Sequence, residues 1–361
     1  MKRRTFLQAA VAIPFIAKSI ESAAGAASQS EDWRTYEVNT KLKIANPAGV
    51  SRAWIPLPYI VKSDWHTPLG NIWNGNGQMK AVIEPKYGAE MLYVEWKAGE
   101  KNPLLEVISR FAVRNRSVDF SKSNPNAPGL SEAELRLYTE PTELIPTDGI
   151  VFETARDITR FAKTDIEKAR AIYEWVVDNT FRDPKVKGCG WGDIKTMLET
   201  RYFGGKCGDL NALFVGLARS AGVAARDIYG VRVAPSQLGY NSLGLGGVNA
   251  SKGQHCRAEF YAQGIGWVPV DPADVRKVVL EEPPGNLEIN DPKVVAIRQK
   301  LFGSWEMNWL AYNTAHDVVL PNSRIKIPYL MYPNGETRGK MLDQLSPETF
   351  QYAITVQQIK T

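Results

Sequence analysis

The chain has 361 residues, longer than one compact domain usually runs, so two domains with separate cores are expected. Hydrophobic residues make up 44% and charged residues 23%, and no apolar run reaches the roughly 20 residues of a membrane-spanning helix, which excludes a span in the mature chain. The net charge is +5, but Lys2, Arg3, Arg4 and Lys18 against Glu21 place most of it in the first 26 residues; no basic stripe interleaved with aromatics remains, which argues against a nucleic-acid partner.

The N-terminus reads Lys2-Arg3-Arg4-Thr5-Phe6-Leu7, then an apolar stretch from Ala9 to Ala17, then small residues ending Ala24-Gly25-Ala26. A basic start, a short apolar segment and an A-x-A site form an export signal, and the paired arginines resemble a twin-arginine signal. Residues 1–26 are therefore expected to be removed, leaving a periplasmic protein.

From Trp33 to about Phe120 short alternating runs such as Tyr36-Glu37-Val38-Asn39 and Met91-Leu92-Tyr93-Val94-Glu95-Trp96 are punctuated by Asn46-Pro47, Gly75-Asn76-Gly77 and Asn102-Pro103. Period two with turn residues at these intervals predicts a β-rich, sandwich-like domain over residues 31–145, with the polar loop Ser121 to Gly129 closing its strands. Helical periodicity follows. Thr164 and Glu167 make a capping box for a helix ending near Asn179, with Ala169, Ile172, Tyr173, Val176 and Val177 on one face. A second apolar stripe, Leu210, Leu213, Phe214, Leu217 and Ala218, stops at Gly222.

A strand is predicted from Ala225 to Val233, and His255–Tyr261 with Trp267–Val270 reads as a hairpin turning at Gln263–Gly266. Helices followed by antiparallel strands make residues 150–280 an α+β domain. The stretch Glu281-Glu282-Pro283-Pro284-Gly285 is a linker, and 281–361 is a C-terminal extension packing on the core. Within it Phe302, Trp305, Trp309 and Tyr312 recur at near-helical spacing, a core stripe.

Cys207 lies in Gly204-Gly205-Lys206-Cys207-Gly208-Asp209, where glycines end an extended segment and a helical stripe begins. A thiol at a helix N-terminus is biased toward the reactive thiolate by the macrodipole and unpaired N–H groups, with Lys206 adding positive charge. Asp209 suits the dipole but opposes the thiolate. Of three histidines, His66 falls in the β-rich region and His316 beyond the linker, leaving His255 as the candidate base. Asp271 follows it by 16 residues at the end of the return strand, placed to orient the imidazole.

Gly205–Asp209, the run Leu217–Arg226, and His255 through Gly266-Trp267-Val268-Pro269-Val270-Asp271-Pro272 together resemble the three blocks of the transglutaminase-like superfamily. The resemblance covers roughly residues 150–275. It implies a papain-like core and a Cys207–His255–Asp271 triad that attacks a carboxamide or peptide carbonyl, forms a thioester, and transfers the acyl group to water or an amine. Hydrolysis of a peptide or amide, with a cell-envelope protein among the substrates, is the favoured expectation. The alternative is a non-catalytic scaffold binding a cell-envelope partner. No cofactor is expected.

Members of the superfamily usually have an aromatic residue two positions after the histidine, where this chain has Arg257. Strand alternation puts Arg257 on the face of His255 and Glu259, so it either binds an acidic substrate group or pairs with Glu259. Trp191 either supplies an oxyanion-stabilising indole N–H or packs its glycine-rich loop. Cys189 and Cys256 either form a disulfide or remain two buried thiols. A zinc site from Cys189, Cys207, Cys256 and His255 lacks any C-x-x-C spacing, and no metal is expected.

Overall fold

The computed structural model describes residues 33–58 and 61–359. The export signal expected at residues 1–26 lies outside them. Strand Arg34–Ile44 shows how the N-terminal half folds: Tyr36, Val38, Thr40, Leu42 and Ile44 are buried in strict alternation, as one face of a half-buried strand demands. It is the second strand of an antiparallel sheet in the order Phe350–Ile359, Arg34–Ile44, Leu104–Val113, His66–Gly75. A second, five-stranded sheet runs Lys340–Met341, Asn334–Thr337, Ser51–Pro56, Glu90–Trp96, Gln78–Ile83. Leu42, Leu105 and Phe350 from the first meet Ile55, Leu92 and Trp96 from the second, so the two form a sandwich.

The helical region follows the sequence pattern closely. Thr164 caps the helix Asp165–Asn179 with both bonds of the capping box, and Ala169, Ile172, Tyr173, Val176 and Val177 form its buried face. Helix Cys207–Ser220 is buried over nearly its whole length, a central position that its apolar stripe alone did not reveal. It packs against a third antiparallel sheet in the order Gly266–Val270, Gln254–Ala262, Ala225–Arg232, Trp309–Asn313. Leu213, Phe214 and Leu217 meet Phe260, Val268 and Val270 in this core. The fold is α+β, with helices against one antiparallel sheet and a sandwich beside them.

The C-terminal segment is woven into all three sheets. Its last strand pairs with Arg34–Ile44 over ten residues, Asn334–Thr337 pairs with Ser51–Pro56, and Trp309–Asn313 completes the third sheet. The described residues accordingly make one compact unit. The aromatic stripe is core, as its burial shows, yet Trp305 and Trp309 sit on strands Ser304–Trp305 and Trp309–Asn313. Pairing with strands far away in sequence overrides the near-helical spacing. Among the described residues no helix is long and apolar enough to cross a membrane.

Candidate active site

Cys207 is the first residue of its helix, after an extended Lys206. One carboxylate fixes this helix start: Asp209 Oδ1 accepts from the backbone N–H groups of Trp191 and Gly192, both at 3.0 Å, and Oδ2 accepts from Lys206 N–H at 2.9 Å. The glycine-rich loop is thereby clamped to the helix. Gly190 must lack a side chain, since its φ is +87° and a Cβ would lie 1.8 Å from Asp209 Oδ2. Gly208 is equally constrained: its N–H donates to Cys189 O at 2.7 Å, and a Cβ would lie 2.6 Å from that oxygen. Cys189 is thus held beside Cys207, and both are buried together with Cys256 in one small cluster.

His255 lies on strand Gln254–Ala262, its backbone carbonyl held by Trp309 Nε1–H at 2.9 Å. Its Nε2 is 2.8 Å from Asp271 Oδ2 and 3.5 Å from Asp274 Oδ1. Asp271 divides its two oxygens: Oδ2 meets the imidazole, while Oδ1 accepts from Asp274 N–H at 3.0 Å and caps helix Pro272–Glu281. Asn211, one turn after Cys207, donates to Asp271 Oδ1 at 3.4 Å and to Cys256 O at 2.9 Å, tying the Cys207 helix to the His255 strand. Arg232 donates to Asp274 Oδ1 at 2.5 Å. The structure brings Cys207, His255 and Asp271 to one place, at the base of a cleft of about 800 Å³ lined by the first two.

Electrostatics favour an ion pair here. The Cys207 thiol is held well below its ordinary value by hydrogen bonds from the Cys189 and Cys256 thiols and by His255, against the opposing effect of burial. For His255, burial and Arg232 lower the pKa, but Asp274, Asp271 and the Asp271 hydrogen bond outweigh them and raise it above 6.5. Asp271 itself is raised by burial and by Asp274, while Asp274 is driven below the carboxylate range because Arg232 and His255 overcome its burial. Burial raises Asp209, and the thiolate raises it further, so the conflict expected between these two charges is present.

Several expectations are corrected. All three cysteines are free, so the Cys189–Cys256 bridge is not formed; the Cys189 thiol instead donates to Gln254 O at 3.4 Å, and both thiols lower the pKa of Cys207. Trp191 is 69% exposed and outside the cleft lining, and it contributes its backbone N–H to Asp209 rather than an indole to an oxyanion. Arg257 is buried behind the site, donating to Glu306 O at 2.8 Å and lying 4.9 Å from the Trp309 ring centroid and 3.7 Å from Asp271 Oδ2. It does not line the cleft, and burial lowers its pKa to about 10. Glu259 does not pair with it either, since Arg116 and Arg226 take both of its oxygens.

The remaining histidines lie elsewhere: His66 is buried in the sandwich sheet, and His316 is 3.4 Å from Asp227. His255, Asp271 and Asp274 offer ligand atoms within 4.8 Å of one another, the spacing of a metal site. The guanidinium groups of Arg232 and Arg257 already face those carboxylates, a poor setting for a cation.

Asp274, Arg232 and Asn211 were not singled out from sequence. Asn211 had a legible signal, the i+4 spacing from Cys207 that stacks both on one helix face. Asp274 had the N-cap pattern Asp271-Pro272-Ala273-Asp274, whereas nothing local marks Arg232.

Known proteins resemble the chain in sequence and in fold. Residues 153–272 match the family described as the transglutaminase-like superfamily core. A protein of Haemophilus influenzae whose function is uncharacterized is 35% identical over 339 residues, covering 89% of this chain and 90% of the relative. Among solved structures, a candidate cysteine protease from Cytophaga hutchinsonii aligns over 91% of this chain and 92% of its own, with a TM-score of 0.57 and 10% identity, a likeness of fold. The periplasmic domain of TgpA from Pseudomonas aeruginosa aligns at a TM-score of 0.35 and 12% identity, covering 70% of this chain and 90% of that one. With the fold, the three sequence blocks and the family match in agreement, the chain belongs to the transglutaminase-like superfamily.

Proposed function

We propose that the protein is an exported thiol enzyme that cleaves an amide or peptide bond through a thioester on Cys207. The observation that carries the reading is the buried His255 Nε2–Asp271 Oδ2 hydrogen bond of 2.8 Å beside a thiol at a helix N-terminus. That bond leaves Nδ1 as the ring nitrogen for proton transfer.

In this mechanism the Cys207 thiolate attacks the carbonyl carbon, and the carbonyl electron pair moves to oxygen. The Cys207 backbone N–H, which has no intrahelical acceptor at the first helical position, stabilises that oxyanion. Collapse breaks the C–N bond as His255 gives its Nδ1 proton to the leaving amine. Water then adds to the thioester, passing a proton to His255, and the second collapse expels the thiolate and releases the acid.

Hydrolysis is favoured over transfer to an amine because the cleft is bordered by exposed side chains such as Lys187 and Lys252, which leave the thioester accessible to water. Export rests on the basic, apolar and A-x-A pattern of residues 2–26. The test is to incubate mature protein with periplasmic extract, following free amine release and incorporation of a labelled amine. Amine release that vanishes in folded Cys207→Ala supports hydrolysis, incorporation alone indicates transfer, and neither product from folded wild type supports the non-catalytic scaffold.

A further inference from the structure

The cleft above Cys207 is lopsided in charge. Its lining includes Arg182, Lys185, Lys187, Lys206, Lys252 and Lys277, together with Arg232 deeper in, against a single acidic lining residue, Asp343. Part of this charge is neutralised within the fold. Arg182 pairs with Glu281, which Lys277 also approaches at 3.7 Å, and Arg232 is taken by Asp274. Lys185 and Lys206 both act on Asp183, whose carboxyl is already engaged by the Tyr202 hydroxyl and the Lys185 N–H.

Neither of those two lysines reaches salt-bridge distance of a carboxylate, and among the described residues no carboxylate pairs with Lys187 or Lys252 either; Lys187 and Lys252 are exposed on loops that line the cleft. Lys187 opens the Gly188–Cys189–Gly190 turn, its carbonyl accepting from Gly190 N–H at 3.3 Å, and Asp209 holds the two residues that follow the turn. Lys252 precedes Gly253, whose N–H and carbonyl are bonded to Ala250 O and Arg232 N–H, so its loop is fixed two residues before His255. Their loops are tied down by backbone hydrogen bonds, and both lysines line the same cleft as Cys207 with no carboxylate paired to them. A concave wall of one sign concentrates field on whatever enters, and a substrate with the opposite charge gains in encounter and in binding.

We infer that the cleft selects an anionic acyl substrate, a peptide with a carboxylate side chain flanking the scissile amide, through Lys187 and Lys252. This rests on the thioester reading above and names its substrate class. It restores an acidic substrate group while moving its recognition from buried Arg257 to lysines of the cleft lining.

Alkylation of Cys207 isolates the effect, because iodoacetate and iodoacetamide differ in charge while attacking the same sulfur. The ratio of their rate constants cancels the thiolate fraction and reports the field alone. At low salt the ratio at Cys207 should exceed that of free cysteine. It should fall toward the free-cysteine value in Lys187→Gln/Lys252→Gln, by up to about two-fold for each unit charge removed, the size of one charge's Coulomb effect in a water-like medium, and fall likewise in 0.5 M salt.

In parallel, labelled peptides differing only by Glu, Gln or Lys beside the amide are titrated into folded Cys207→Ser, with the Glu peptide expected to bind most tightly. A ratio unchanged in the double variant, or equal binding of the Glu and Lys peptides, overturns the proposal and leaves the thioester reading standing. Failure of both reagents to label Cys207 overturns the thioester reading itself, and the substrate class with it.

Discussion

Asp209 is the buried carboxylate on which the geometry around Cys207 depends, and its removal has a calculable consequence. Its three acceptor contacts are divided unequally, Oδ1 serving Trp191 and Gly192 and Oδ2 serving Lys206. Asp209→Ala orphans all three N–H groups. Hydrogen bonds to a charged group contribute about 1.5–3 kcal/mol each. The gain is partly offset by the burial and thiolate repulsion that raise the Asp209 pKa, so a net loss of about 3–5 kcal/mol is expected, near the upper range for single substitutions.

Asp209→Asn keeps the carbonyl oxygen for the two loop N–H groups but turns an amide toward Lys206 N–H, losing one contact at a cost of about 1–2 kcal/mol. It also removes a negative charge near the sulfur, so the thiolate should persist to lower pH than in wild type. Urea unfolding gives both stabilities, and the pH dependence of Cys207 alkylation reads the second effect. Equal losses for Asn and Ala, or a loss below about 1 kcal/mol for Ala, would refute the idea that this carboxylate clamps the loop to the helix.

Other consequences concern groups away from the cleft. His66 is fully buried against Phe111, and desolvation lowers its pKa to about 4. The folded state therefore keeps it neutral while the unfolded chain protonates below its ordinary 6.5. Stability is present above pH 6.5 and is lost as pH falls toward 4, by about 2 kcal/mol at pH 5 and about 3 at pH 4. Unfolding curves of wild type and His66→Phe from pH 7 to 4 should diverge by this amount, and parallel curves would contradict it. Glu259 is fully buried between Arg116 and Arg226, which stack on Trp305 and Trp267. Glu259→Gln leaves two guanidinium groups facing a neutral amide and should destabilise by about 3 kcal/mol in urea, whereas a change under 1 kcal/mol would show that the charge is not needed.

Local chemistry was the most legible layer of the sequence. A capping box at Thr164 and Glu167 and the turn at Gln263–Gly266 name their own partners within a few residues, and the helix and hairpin lie where these signals put them. The C-terminal segment was opaque for the opposite reason: Phe350–Ile359 pairs with a strand some 315 positions earlier, and no local pattern encodes that register. Arg257 illustrates an intermediate case. Alternation gives its face correctly, but residues 305–309 cover that face and turn an expected substrate contact into a buried support for Asp271. Cys189 and Cys256 were legible only as a candidate pair, bridged or free, since whether two thiols bond to each other depends on geometry that spacing does not carry.

The central claim is that Cys207 rests as a thiolate paired with protonated His255, and its titration is the most direct measurement. Iodoacetamide alkylation of Cys207, followed by mass spectrometry from pH 4 to 10, should remain fast well below the ordinary thiol range, because its pKa is lowered by Cys189, Cys256 and His255. Asp271→Asn should weaken the imidazolium and shift the onset of labelling toward higher pH. An inflection near 8.5 in wild type, unmoved by Asp271→Asn, would mark an ordinary buried thiol and contradict the account.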